Sequence, residues 1–257
     1  MIFIPKSIRS IFLSLDRMLN RIKKKLTGND FLKSLAVLMT GTLVAQIIGY
    51  LLAPIITRLY TPAEMGEFGM FQRVTVLLAT IATARYEYAL PLPKKDKHAF
   101  ILFRFALKIS LITISLCLFA GMVFGLMKGK GVDFYLLLIL LIVSVFSLAF
   151  FNLGTNWSIR KKYFKKISLS KMSNSITLNS SRVIFGFLGW GSLGLILSFV
   201  LSLIVGAAFF VYDFITLKFI SKSSLYKLKT RVLSREYKNF PLASLPHSLS
   251  DLSLIHI

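Results

Sequence analysis

The charged residues inside apolar stretches of this 257-residue chain include Arg73, Arg85, Glu87, Lys108 and Arg182. A charge at the centre of a bilayer costs roughly 3 kcal/mol, so such a group usually faces a water-filled cavity or a partner. Arginine and lysine have an alternative, because their long side chains extend to the nearer headgroups. Glutamate is shorter. We therefore expect Glu87 to pair with a basic group or to titrate.

Two of these charges fall on a common stripe if their stretch is one continuous helix. At 100° per residue, Arg73, Thr80, Ala84 and Glu87 share one face of such a helix. The stripe would carry Arg73 near the outer end of the helix and Glu87 near the inner end.

The stretch 167–188 is too polar to face lipid on all sides, although its length suits a spanning helix. We expect it to line an aqueous cavity, with Arg182 deep towards the middle of the span. The alternative is packing between helices through small side chains and Ser or Asn hydrogen bonds. The polar residues that we expect to line the cavity are Lys171, Asn174, Ser175, Asn179 and, from an earlier span, Gln46.

The elements that position these residues are apolar runs of spanning length. The chain is 55% hydrophobic and 16% charged, a balance that is wrong for a soluble domain. We predict an all-α, polytopic membrane helix bundle with six transmembrane helices and the start of a seventh near Phe240. The predicted spans are 34–56, 68–90, 99–126, 134–155, 167–188 and 193–216.

The net charge is +22, and the basic residues that produce it are distributed according to the predicted spans. Most of the 32 Lys and Arg lie before the first span and after the second, fourth and sixth, whereas the other connections hold few. This is the positive-inside pattern for an even number of spans, with the N-terminus in the cytoplasm. A nucleic-acid-binding stripe has no reason to follow this rhythm, so we expect no nucleic-acid partner.

The charge pattern divides the chain into segments. Residues 1–33 are predicted to be a basic amphipathic cytoplasmic segment, since apolar residues recur there at spacings of three and four. A mobile basic tail that only sets topology is the alternative. Residues 34–216 form the predicted six-helix N-terminal lobe, and 217–251 a cytoplasmic loop with the start of helix seven.

No catalytic or metal-binding pattern appears. There is no Gly-rich phosphate loop, and His98, His247 and His256 lie apart, without metal-ligand spacing. The single cysteine, Cys117, cannot form an intrachain disulfide and is interpreted as a small buried hydrophobe. We expect neither an enzyme nor a cofactor.

Several segments resemble the O-antigen and polysaccharide flippases of the multidrug/oligosaccharidyl-lipid/polysaccharide exporter (MOP) superfamily. The resemblance covers about residues 30 to 250, in the order and spacing of the family. The segments are GTLVAQ at 41–46, PIITRLYTPAEMG at 54–66, RYEYALPLP at 85–93, WSIRKKY at 157–163 and YKNFP at 237–241.

The resemblance implies one lobe of a two-lobe transporter that encloses a central cationic cavity. By resemblance, that cavity accepts a polyprenyl-diphosphate-linked oligosaccharide and presents it across the bacterial cytoplasmic membrane, driven by an ion gradient. Possible partners are a glycan polymerase and glycosyltransferases. Glu87 becomes the candidate for ion coupling. The positive groups implied for the diphosphate are Arg182, Arg73, Arg85 and Lys108, arginine above all because its fork matches phosphate oxygens.

Two other functions stay open at this point. A drug/cation antiporter of the same superfamily would want more acidic residues in the cavity, whereas basic ones dominate here. A non-transporting scaffold of a glycan-assembly complex would have no need for a polar fifth span.

The last six residues, 252–257, have a separate interpretation. They are what CTG TCT CTT ATA CAC ATC would encode, a transposon end sequence used in preparing sequencing libraries. We expect them to be adapter read-through, with the native protein continuing beyond Asp251. A native stop codon directly after Ile257 in the source DNA would contradict this hypothesis.

Overall fold

The computed structural model describes residues 30–218 and the single positions 236, 237, 242, 244, 246 and 250. Predictions for 1–29, for the adapter hypothesis at 252–257 and for most of 219–251 lie outside the described residues. The helices of the continuous part are α1 (Asp30–Leu59), α2 (Pro62–Thr83), a short 3-10 helix (Tyr86–Ala89), α3 (Asp96–Met127), α4 (Val132–Arg160), α5 (Phe164–Phe187) and α6 (Gly191–Lys218).

The all-α class is confirmed. Four helices of the described part are long and apolar enough to cross a bilayer: Met39–Leu59 within α1, all of α3, all of α4, and Gly191–Ile215 within α6. The helices α2 and α5 do not reach that apolarity. For α5 this agrees with the polar stretch seen in the sequence, and the crossing of the membrane by α2 and α5 stays a prediction.

The second predicted span, 68–90, is not one continuous helix. Helix α2 ends at Thr83, and both Ala84 (φ 46°) and Arg85 (φ 59°) take the left-handed conformation. Each such residue costs about 1–2 kcal/mol, so the surroundings must hold them there. The 3-10 helix that follows, together with its C-cap residue, buries Tyr86 and Leu90 against α3. These contacts override the helical periodicity, and the predicted stripe through Ala84 and Glu87 is wrong.

The bundle has two ends, which we name from the predicted orientation. The outer end holds the α1–α2, α3–α4 and α5–α6 connections, and the inner end holds the α2–α3 and α4–α5 connections. At the outer end a capping box starts α2: Thr61 Oγ1 accepts from the Glu64 N–H (3.3 Å), and Glu64 Oε2 accepts from the Thr61 N–H (2.7 Å). Reciprocal bonds of this kind fix where a helix begins.

Helix α5 lies between α1 and α6 and packs extensively on both, while α4 packs on α3 and α6. The approach of α1 to α5 is close, because a side chain at Gly41 would collide with Ser168. Aromatic side chains fill the inner half of the bundle. The Phe103 and Trp157 ring centroids lie 6.2 Å apart, in an edge-to-face arrangement that aromatic pairs favour.

Candidate functional site

Arg182 lies in the last two turns of α5. Its guanidinium carbon lies 4.8 Å from the centroid of the Phe68 ring of α2. The Tyr60 hydroxyl donates a 2.7 Å hydrogen bond to the Arg182 carbonyl, which joins the α1–α2 turn to α5. The Arg182 Nε is buried and has no hydrogen-bond partner among the described residues. The Arg182 guanidinium is therefore positioned by Phe68 and still has an N–H group that is able to donate a hydrogen bond.

Arg85 and Glu87 lie at the other end of the bundle. The Arg85 Nη1 donates to the Tyr88 hydroxyl (3.1 Å) and lies 3.8 Å from Glu87 Oε1. The Glu87 side chain is only 2% exposed, and its Oε2 has no hydrogen-bond partner within the described residues. Glu87 therefore pairs with a basic group, one of the two outcomes expected from the sequence. The pair lies just beyond the end of α2, where Ala84 and Arg85 take the left-handed conformation.

The structure does not gather the four predicted cations into one cluster. Phe68, which holds Arg182, and Thr83, next to the Arg85 turn, lie fifteen residues apart on α2. At 1.5 Å per residue, that separates Arg182 from Arg85 by roughly 20 Å along the bundle. The side chains of Arg73 and Lys108 are exposed, and both make further contacts in the structure.

The polar residues of α5 bond to backbone carbonyls of the helices on either side. Asn174 Nδ2 donates to Ser202 O of α6 (2.7 Å), and Ser175 Oγ donates to Ala45 O of α1 (2.7 Å). Asn179 Nδ2 donates to Ser175 O within α5 (2.8 Å). Bonds of this kind are expected if α5 packs between helices through Ser and Asn hydrogen bonds, the alternative to lining a cavity. A water-lined face, carrying the half-buried Lys171, stays a prediction.

Gln46 lies on the exposed part of α1, on the same helix as Ala45, which accepts the bond from Ser175. Its exposure is compatible with either lipid or a second lobe as the neighbour. Its role in lining a cavity is still a prediction.

Sequence reasoning missed a tether at the inner end. Arg160 at the end of α4 donates to Asp96 Oδ1 through Nε (3.0 Å) and to the Pro91 carbonyl through Nη1 (3.2 Å). The same Nη1 also contacts the Pro93 carbonyl, and Lys161 pairs with the other Asp96 oxygen. In the sequence, this tether could have been suspected only from Asp96, an acidic residue in a lysine-rich connection.

A second missed ion pair joins α5 to α6. Lys166 Nζ lies 2.7 Å from Asp213 Oδ2, and Lys166 also lies 5.9 Å from the Phe210 ring centroid. Within the described part of the chain, no three His, Cys, Asp or Glu side chains come together as a metal ion would require.

Comparison with solved structures identifies a multidrug resistance MATE family transporter of the MOP superfamily, in an outward-facing conformation. The TM-score is 0.56 at 21% sequence identity, over 84% of this chain and 53% of that one. The chain has a MOP-like fold. It spans about half the length of the matched transporter. No protein-family model and no curated protein matches the chain.

Proposed function

We propose that this chain is one lobe of a MOP-superfamily transporter that moves a polyprenyl-diphosphate-linked oligosaccharide across the bacterial cytoplasmic membrane. The MOP-like fold supports the transporter class. The segments at 54–66, 85–93 and 157–163 support the polysaccharide branch, since they follow the order and spacing of the flippases.

The single observation that carries the substrate class is the state of Arg182. Its guanidinium is held over Phe68 by a cation–π contact, and its buried Nε has no partner in the described residues. Buried polar groups are almost always hydrogen-bonded, so an orphan of this kind requires an explanation. A guanidinium with free donors suits a diphosphate, whose oxygens accept two parallel bonds.

The other predicted residues take secondary roles in this proposal. Arg73, Arg85 and Lys108 supply positive potential along the path rather than a common site. Glu87, buried beside Arg85, is the candidate for ion coupling, because an acidic side chain with an unpaired oxygen is able to take up a proton or cation. A glycan polymerase and glycosyltransferases are the proposed partners.

The test is Arg182→Ala in the full-length protein, expressed in a strain that lacks the native gene. Surface polysaccharide is measured at matched protein level. A charge-assisted hydrogen bond is worth about 1.5–3 kcal/mol, so we expect export to fall about ten- to hundredfold. In Arg182→Lys, which keeps the positive charge but not the planar guanidinium, export should fall less.

The matched control is Lys128→Ala, which removes an exposed cation from the same end of the bundle. It should leave export unchanged. Full polysaccharide output from Arg182→Ala would remove Arg182 from the site.

A drug/cation antiporter is the second candidate, because the solved structure that this chain resembles is a multidrug resistance transporter. The two functions separate in one experiment. Expression of the full-length protein in a drug-sensitive strain should leave drug susceptibility unchanged and restore polysaccharide in the flippase-deficient strain. The reverse pattern would identify the antiporter.

A further inference from the structure

The inner end of the bundle carries a group of exposed lysines that the proposed transport function does not use. They come from two connections that are far apart in the sequence, the one before α3 and the one before α5. We call this group the inner lysine surface; its members are Lys94, Lys95, Lys97, Lys162 and Lys165, all with exposed side chains.

The Arg160 tether brings the two connections together. Arg160 reaches from the end of α4 to the Pro91 carbonyl and to Asp96, while Lys161 takes the second Asp96 oxygen. Asp96 is thus occupied by Arg160 and Lys161 and is not paired with the five exposed lysines. The tether therefore holds two basic segments side by side without neutralising them.

Two helix N-termini add to the positive potential at this place. Helix α3 begins after Lys95 and α5 after Tyr163, and neither N-cap residue makes a side-chain capping bond. The first N–H groups of a helix have no partner within the helix, and together they carry a partial positive charge. These partial charges add to the charge of the exposed lysines, although the Asp96 carboxylate in the first turn of α3 offsets part of them there.

The positive-inside tendency explains why these connections are basic. It does not explain why the two basic connections are held next to each other. Lysines that only set topology have no need to be pinned together against their mutual repulsion. An anion that occupies the surface would offset the repulsion.

We propose that the inner lysine surface binds the phosphate groups of anionic phospholipids in the inner leaflet. Each basic residue near an anionic membrane surface adds to the attraction, which falls off within a Debye length. The site would anchor the α2–α3 and α4–α5 connections at the headgroup level. The proposal does not depend on which substrate is transported.

The test uses the purified full-length protein in detergent, with its unfolding temperature followed as phosphatidylglycerol or phosphatidylcholine is added. We expect phosphatidylglycerol to stabilise the protein and phosphatidylcholine to have a much smaller effect. The variant Lys94→Gln/Lys95→Gln/Lys162→Gln should need about a hundredfold more phosphatidylglycerol for the same shift. Raising the salt from about 0.1 M to about 1 M should weaken the effect in the unchanged protein.

The matched control is Lys128→Gln/Lys130→Gln, which removes two exposed lysines from the outer α3–α4 connection. It should respond to phosphatidylglycerol like the unchanged protein, and so should arginine at the three inner positions. If the glutamine triple does not fold, the single variant Lys94→Gln and the salt dependence give the same information.

Three results would overturn the proposal. The control could lose the phosphatidylglycerol effect as fully as the inner variant, or both phospholipids could stabilise equally. A short-chain polyprenyl diphosphate could also stabilise the protein where phosphatidylglycerol does not, in which case the surface recruits substrate rather than membrane lipid.

Discussion

Arg160 and Arg182 lie on consecutive helices at opposite ends of the bundle, and their surroundings satisfy them differently. The guanidinium of Arg160 contacts the Asp96 carboxylate and the carbonyls of Pro91 and Pro93. The guanidinium of Arg182 lies over one aromatic ring, and its Nε has no partner among the described residues.

The difference separates a structural arginine from a candidate ligand-binding one. Removing one member of a satisfied polar network leaves its partners without their bonds, which destabilises the protein. Arg182 already lacks a hydrogen-bond partner for its Nε in the folded state, so removing it costs less. The first should matter for stability and the second for ligand binding.

Arg160→Ala is the substitution with the largest expected effect on stability. The carbonyls of Pro91 and Pro93 lose their donor, and the 3-10 helix loses the tether that follows it. Asp96 is half exposed, so its share is smaller. We expect the free energy of unfolding to fall by about 2–3 kcal/mol, measured by unfolding in detergent and followed by the fluorescence of the buried Trp157.

Arg160→Lys serves as the control for charge alone. It should recover part of the loss, because an ammonium group reaches Asp96 but cannot also span both carbonyls. A loss below about 0.5 kcal/mol for Arg160→Ala would fall in the range of ordinary surface changes and remove the structural role.

The next effect in size is the coupling between Arg182 and Phe68. A desolvated cation–π contact is worth about 1–2 kcal/mol. Phe68→Leu alone also disturbs the edge-to-face contact of Phe68 with Phe199, whose centroids lie 5.8 Å apart. A double-mutant cycle with Arg182→Ala isolates the pair, and we expect a coupling energy of about 1 kcal/mol. A value near zero would mean that Phe68 does not hold the guanidinium.

The same two arginines show how far sequence reasoning reaches. Arg182 stands out because it is a charge in an apolar run, and the apolar runs themselves predict the helices. Arg160 does not stand out, because it lies in a basic connection where the positive-inside pattern already explains it. Its partner Asp96 lies 64 positions away, and no local signal links residues at that separation.

The end of α2 at Thr83 also could not be predicted from the helical periodicity of the sequence. The residues 84–90 continue an apolar pattern that an isolated helix would accept. They leave the helix because Tyr86 and Leu90 bury against α3 and because Arg160 holds the carbonyls that follow. Long-range contacts of this kind decide local conformation, and a single sequence does not display them.

The smallest expected effect on stability is that of Arg182→Ala. The variant loses the contact with Phe68, but it also no longer buries a charge and an unpaired Nε, and these two changes have opposite signs. We therefore expect a net change within about 0.5 kcal/mol of zero, measured under the conditions used for Arg160→Ala. Export should nevertheless fall, so that stability and transport separate at this position. A loss of stability as large as that of Arg160→Ala would show that Arg182 is structural as well, and the contrast between the two arginines would disappear.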